Sequence, residues 1–311
     1  MATVIITGGT GLIGRALCTA LAGKGHEVII LTRKVPNKTK PRAGISYALW
    51  NVEAQTIDEK AIGRADFIVH LAGANVADGR WTEARKQEIV DSRVHSGRLL
   101  VKALKETPNK VQAVISSSAI GWYGPDPQIP NPRPFVETDP VDRSFLGTTC
   151  KAWEDAIAPV AAMGKRLVYL RTGIVLSQEG GAYKEFRKPL GFGVASILGN
   201  GRQVVSWIHI DDIVGLYIKA MEDGSWSGPY NGVAPQPVSS KTLIQTMAKV
   251  KGGLAIPAPV PAFVLKTMLG EMSIEVLKSA TVSSRKAEAG GYHFQYPDVL
   301  SAVKALEGKQ Q

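Results

Sequence analysis

Short runs of aliphatic and β-branched residues punctuate the first half of the chain, and between them apolar positions return every three or four residues. The runs are Val4 to Thr7, Glu27 to Thr32, Ser46 to Trp50, Asp66 to Leu71, Gln112 to Ser117 and Leu167 to Arg171. Continuous apolar runs, rather than strict alternation, are the mark of strands buried on both faces, so the pattern predicts a parallel sheet covered by helices on either side. The longest helical stretch spans about Trp81 to Lys105. Its Val90, Val94, Val101 and Leu104 recur at helical steps, with one gap at Gly97, and predict a face packed on the sheet. Pro and Gly cluster from Gly121 to Pro140, which reads as a long loop after the fifth strand, and loops of that length often border a site. Beyond about residue 175 the alternation breaks down. The division expected is a doubly wound α/β domain over residues 1–175 and a smaller lobe over 176–311, with a stretch near 205–222 returning to the first domain.

Composition narrows this picture without changing it. The chain has 311 residues, 44% hydrophobic and 21% charged, values ordinary for a globular protein large enough for two lobes. No apolar run approaches the roughly 20 residues that span a bilayer. A strand-like run begins at Val4, leaving no room for a signal stretch, so the expected location is the cytoplasm. Cys18 and Cys150 have neither disulfide-framework nor metal-ligand spacing, and the five histidines are scattered, so no metal is expected. The formal charge of +10 is spread along the chain rather than gathered in a basic block, which fits an anionic small ligand better than nucleic acid.

The most informative motif is Thr7-Gly8-Gly9-Thr10-Gly11-Leu12-Ile13-Gly14, set between the first strand and the first helix. That is the context of a dinucleotide-binding fingerprint, and it makes the domain Rossmann-type. The glycines permit a tight turn, close approach of the backbone to a pyrophosphate and close packing of helix on strand, and the helix N-terminus offers N–H groups to the anion. The second strand ends in Thr32-Arg33-Lys34. A carboxylate there would grip the ribose hydroxyls of NAD; a guanidinium pairs instead with the 2′-phosphate of NADP, so NADP(H) is the cofactor expected. The competing reading of Arg33 and Lys34 is a plain solvated strand end.

Several further segments carry a resemblance to a known family. Leu71-Ala72-Gly73, Ser116-Ser117-Ser118 and Trp207-Ile208-His209-Ile210-Asp211-Asp212, together with the glycine spacing, resemble an extended short-chain dehydrogenase/reductase. More narrowly, Lys151-Ala152-Trp153-Glu154, Arg171-Thr172-Gly173-Ile174-Val175-Leu176 and Gly291-Tyr292-His293-Phe294-Gln295-Tyr296-Pro297-Asp298 resemble an atypical subfamily, described as nucleoside-diphosphate-sugar epimerase-like or cell-division-inhibitor-like, which carries a C-terminal domain of unknown function, here about 258–306. The resemblance implies a cofactor laid over the strand ends. Leu71, Ala72 and Gly73 would line the adenosine and ribose path, Val175 the nicotinamide end, and Glu88 and Arg93 would supply contacts from the long helix. Arg93 sits beside the Val90–Val94 stripe, where a guanidinium meets either an anion or an internal carboxylate.

The chemistry departs from the family's pattern of a Tyr, a Lys four residues later and a Ser after the fifth strand. Ser118 fills the Ser role. With Lys151 as the lysine, the tyrosine position holds Gly147; with the register set by Glu154, Cys150 replaces the lysine and Leu146 the tyrosine. Tyr123, on the loop after Ser118, is the candidate proton donor in place of the missing phenol, and Lys151 the candidate for orienting the ribose. Nucleotide-sugar enzymes of the family place an Arg four residues before the His of the Ile-His-x-x-Asp element; here Val205 stands there, with Arg202 or Arg187 as possible substitutes, while His209, Asp211 and Asp212 read as structural. Two functions stay open: an NADP-dependent oxidoreductase or epimerase acting on a small carbonyl or alcohol, and an NADPH-binding regulator or redox sensor without turnover. The partners expected are a small-molecule substrate, no nucleic acid and no membrane, in a monomer or homodimer.

Overall fold

A computed structural model describes residues 1–35 and 42–309. The first half reads β1 (Thr3–Thr7), α1 (Leu12–Gly23), β2 (Glu27–Thr32), β3 (Ile45–Asn51), β4 (Thr56–Ile57), α2 (Glu59–Arg64), β5 (Phe67–His70), α3 (Glu83–Glu106), β6 (Ala113–Ala119), α4 (Phe145–Ile157) and β7 (Arg166–Thr172). Shorter elements follow: β8 (Ile174–Leu176), α5 (Gly181–Gly191), β9 (Val194–Leu198), β10 (Val204–Val205), β11 (Trp207–His209), α6 (Ile210–Glu222), β12 (Gly228–Gly232), β13 (Val238–Ser239), α7 (Ser240–Lys251), β14 (Ile256–Val260), α8 (Ala262–Leu269), α9 (Ser273–Leu277), α10 (Arg285–Ala289) and α11 (Val299–Leu306).

The main sheet has the order β12-β7-β6-β5-β1-β2-β3-β4, parallel throughout except for the last, antiparallel pair. Chain order reverses between β1 and β5. In an open α/β sheet that reversal opens a crevice beyond the carboxyl ends of the strands, where ligands bind. Alternate residues of each strand feed the two covering layers. Val4 and Ile6 pack with Leu17, Leu21 and Leu216 under α1 and α6, whereas Ile5 packs with Ile68, Leu100, Leu104 and Ile157 under α3 and α4. A separate apolar cluster, including Tyr183, Leu190, Trp207, Ile244, Met247 and Val303, joins α5, α7, β9 and α11 into the second lobe.

The sheet-facing side of α3 differs from the stripe expected. Ile89, Arg93, Ser96, Leu100 and Leu104 are buried, while Val90 and Val94 are only half-buried and line a groove of about 710 Å³ shared with Ala152, Ala156 and Pro159. The gap at Gly97 has a physical cause, since a Cβ there would come within 3.2 Å of the Ala156 Cβ, so the missing side chain lets α3 and α4 approach closely. Among the described residues no helix is long and apolar enough to cross a membrane.

Candidate functional site

At the carboxyl end of β1 the chain turns through the glycine motif with almost no room to spare. Gly8 has φ of +67°, and a Cβ on it would lie 2.9 Å from the carbonyl of Leu71; a Cβ on Gly14 would lie 2.2 Å from the Gly8 oxygen. Backbone packs on backbone at both points, which only glycine permits. The N-cap of α1 is Gly11, which offers no side chain to cap the helix, and the first turn holds no acid. The leading N–H groups, around Leu12 and Ile13, are therefore left for an external acceptor, with Thr10 and Gly11 exposed beside them.

Thr7 ties this loop to its neighbour strand. Its hydroxyl accepts from the N–H groups of Leu71 (3.0 Å) and Ala72 (3.1 Å) and lies 2.8 Å from Nδ1 of His70. With two donors already on the oxygen, its proton goes to Nδ1, which fixes the neutral imidazole with the proton on Nε2, toward Ser96. Burial first, and the nearby Arg93 cation second, push His70 down to about 3. At the end of β2 the Thr32 hydroxyl is spent on the Lys34 carbonyl (3.0 Å), whereas Arg33 is exposed and has no ion-pair partner among the described residues.

Arg93 is buried, and the carboxylate alternative for it is not what the structure shows. It donates to the carbonyls of Ala74 (3.0 Å) and Ile89 (2.9 Å), stacks over the ring of Trp153 at 4.8 Å and has no acidic partner among the described residues. Burial lowers it to about 10. A Cβ on Gly73 would lie 3.0 Å from the guanidinium carbon, so Gly73 makes the space in which this cation sits at the end of β5. Glu88, by contrast, is exposed and paired with Arg85 at 2.6 Å. Val175 lies half-buried on β8, which pairs in parallel with β11.

Beyond β6 the polar groups close on one another. Ser118 donates to Glu154 Oε1 at 2.7 Å, and Glu154 takes both arms of Arg171, Nε at 2.9 Å and Nη2 at 3.0 Å. Arg171 also reaches the Tyr123 hydroxyl at 3.2 Å and stacks on Trp122 at 3.6 Å. Tyr123 donates to Asn231 Oδ1 at 2.7 Å and has no exposed surface; burial pushes its phenol up to about 12. Lys151 is not brought to this cluster: it lies on the outer face of α4, paired with Asp155 at 2.6 Å. The residue facing β6 is Cys150, whose thiol donates to the Ala119 carbonyl and is raised to about 11 by burial, first, and by Glu154. On α4 it is therefore Cys150, not Lys151, that is turned toward β6. Arg187 is occupied by Glu307 at 2.8 and 3.0 Å, which leaves Arg202, exposed, as the cation near Val205.

The sequence model of the NAD dependent epimerase/dehydratase family matches residues 4–231, most of the chain, and that of a domain of unknown function (DUF1731) matches residues 260–306. The chain belongs to the NAD dependent epimerase/dehydratase family. It is 34% identical over 304 residues to the Epimerase family protein YfhF of Bacillus subtilis, with 97% of each chain covered. The crystal structure of human epimerase family protein SDR39U1 (isoform 2) with NADPH superposes with a TM-score of 0.85 at 29% identity, covering 99% of this chain and 100% of that one. The nucleoside-diphosphate sugar epimerase of Corynebacterium glutamicum superposes with a TM-score of 0.77 at 31% identity, but this chain spans only 59% of that protein.

Within this family fold, two segments singled out by resemblance find structural work. The Gly291–Asp298 tail grips α6: the Tyr292 hydroxyl (3.1 Å) and the N–H groups of Gln295 (2.8 Å) and Tyr296 (3.0 Å) all donate to the buried Asp212 carboxylate. His209 packs against Tyr296 with ring centroids 3.9 Å apart and planes tilted at 41°, and caps α6 through Nδ1. The roles of Glu154 and Arg171 as a buried pair were missed by motif reading. The signal available was an Arg inside the otherwise apolar strand Leu167-Val168-Tyr169-Leu170-Arg171, since a charge in such a place needs a partner.

Proposed function

We propose that this chain binds NADP(H) and is an oxidoreductase or epimerase acting on a small carbonyl or alcohol. The observation that carries the cofactor reading is the exposed guanidinium of Arg33 at the end of β2, without an ion-pair partner among the described residues, beside a glycine loop and an uncapped helix N-terminus. A dianionic 2′-phosphate fits that position, and a bare ribose does not use it. The NADPH held by the human relative agrees with this choice. Arg93, a buried cation without a carboxylate among the described residues, adds a second positive group along the same crest, the edge of the sheet formed by the carboxyl ends of its strands.

When bound, the nicotinamide supplies hydride exchange. The protein's part is to hold the substrate oxygen and move its proton. For an alcohol substrate Ser118 gives its own proton to Glu154 and its oxygen accepts from the substrate hydroxyl; for a carbonyl the same path runs in reverse, a proton taken up at Glu154 returning through Ser118 to the substrate oxygen. Arg171 fixes both carboxylate oxygens and so orients Glu154 toward Ser118. The test is NADPH oxidation against a panel of small aldehydes and ketones: turnover by the native chain, lost in Ser118→Ala with NADPH affinity retained, supports the reading.

A second reading, an NADPH-responsive regulator, is favoured by one observation. Tyr123 is turned inward and Lys151 outward, so neither group presents a proton donor at the crest. No turnover across the panel, together with NADPH-dependent changes in the protein's surface, would put that reading in place of the first.

A further inference from the structure

The region that matches a domain of unknown function divides into two parts held in very different ways. Residues 279–298 are fastened to the rest of the protein by buried polar groups. Asp126 accepts from Ser279 Oγ (2.7 Å), Thr281 N (2.9 Å) and Thr281 Oγ1 (2.8 Å), the Phe135 N–H donates to the Thr281 carbonyl, and Asp212 holds Tyr292, Gln295 and Tyr296. Residues 262–277, which comprise α8, a 3-10 turn at Gly270–Met272 and α9, bury only Leu265 and Ser273, and leave Phe263, Met268 and Ile274 at 71%, 64% and 60% exposure.

This lightly packed segment follows a definite path. It leaves the second lobe at β14. On the far side Arg80 donates to the carbonyls of Thr267 and Met268, and Lys86 pairs with Glu271 at 3.0 Å. Arg80 belongs to the connection that follows β5, and Lys86 to the first turn of α3. At its exit Lys278 donates to the Tyr123 carbonyl, on the loop that follows β6. The three attachments thus lie beyond the carboxyl ends of β5 and β6, on one flank of the β1–β5 reversal where this fold takes its ligand.

We infer that residues 262–277 are a strap across the mouth of the dinucleotide crevice, latched by Arg80 and Lys86, and that covering this mouth is the role of the first part of the domain. The second part is its anchor. Two exposed or half-exposed cationic tethers and two buried side chains make an element that opens locally without unfolding the anchor, because the free energy of local opening follows the buried contacts that must be broken. Ligand entry and release then pass through the unlatched state. That the covered ligand is a dinucleotide rests on the reading proposed above; that the strap covers the crest does not.

Hydrogen exchange on the full chain tests the cover without any ligand. The amides of Leu71, Ala72 and Ala74 lie bonded just after β5, in the connection that carries Arg80. In the native chain, 262–277 should exchange about ten-fold or more faster than 279–306, and Arg80→Ala/Lys86→Ala should speed exchange at 71–74 about ten-fold while leaving 279–306 unchanged. Equal protection of the two parts, or exchange at 71–74 unmoved by the double variant, overturns the inference. In a second arm, stopped-flow with NADPH should show association and dissociation both about ten-fold faster in the double variant; unchanged rates in a protein that binds NADPH also overturn it. If the native chain binds no NADPH, the cofactor reading fails, and the exchange data alone decide the strap.

Discussion

The two ends of the crest are built on opposite principles. At the β1–β2 end the polar groups are left open: an uncapped helix N-terminus, an exposed Arg33 with no ion pair among the described residues, and glycines that bring backbone to the surface. At the β6–β7 end almost every polar group is matched to another, Ser118 to Glu154, Glu154 to Arg171, Arg171 to Tyr123 and Tyr123 to Asn231. Open donors at a helix terminus are cheap to keep because water satisfies them until an anion arrives. Buried charges cannot wait in this way and need a partner within the fold. The difference teaches that the first end is built to meet a ligand while the second end holds shape, with Ser118 the member nearest the close of β6.

Breaking the closed end should give the largest effect. Arg171→Leu leaves Glu154 buried and unpaired, at a cost of about 3–5 kcal/mol, and thermal unfolding should show a fall on the order of 10 °C. A near-native melting temperature would mean that the pair contributes little. Gly14→Ala sharpens the contrast from the open end: its Cβ would collide with the Gly8 carbonyl at 2.2 Å, so the loop must shift. A cost of about 1–3 kcal/mol is expected, with weaker binding of NADPH and NADH alike in isothermal titration; affinity for both left intact would show that the loop does not touch the cofactor.

His70, held between Thr7 of β1 and Ser96 of α3, gives the open end a pH dependence. Its folded value is about 3, against an ordinary 6.5, so the unfolded chain takes up a proton first as pH falls. Its contribution is fully present above pH 6.5 and is lost between 6.5 and about 3, with a slope of up to about 1.4 kcal/mol per pH unit. Urea midpoints measured across that range should fall for the native chain and flatten in His70→Asn; equal slopes would contradict the assignment. Ser118→Ala should be the mildest change to the fold, about 1 kcal/mol from one hydrogen bond, with NADPH affinity within about two-fold of native.

How much of this was legible in sequence depends on how local each feature is. All six apolar runs became strands; five are buried on both faces and announce themselves by their own residues, while β3, nearer the sheet edge, is buried on one face only. β12 escaped notice because Gly228-Pro229-Tyr230-Asn231-Gly232 carries the residues of a turn; it is tolerated at the sheet edge, where a Pro need not donate. On α3, Val90 and Val94 suggested the wrong face, since the residues turned inward include Arg93 and Ser96, polar groups that pattern reading assigns to solvent. The glycine loop and Arg33 could be read directly, each being a local motif with a local consequence. The Glu154–Arg171 pair and the strap latch could not, because their partners lie on different elements and meet only in the folded chain.

The most direct test of the central claim is a titration of the native chain and of Arg33→Ala with NADPH and with NADH at matched ionic strength. The open end predicts tighter binding of NADPH by the native chain. It also predicts that Arg33→Ala loses about ten- to a hundred-fold in NADPH affinity, as expected for one charge-assisted contact to a phosphate, while NADH binding stays unchanged. Equal affinity for the two dinucleotides in the native chain, or an NADPH affinity indifferent to Arg33, would contradict it.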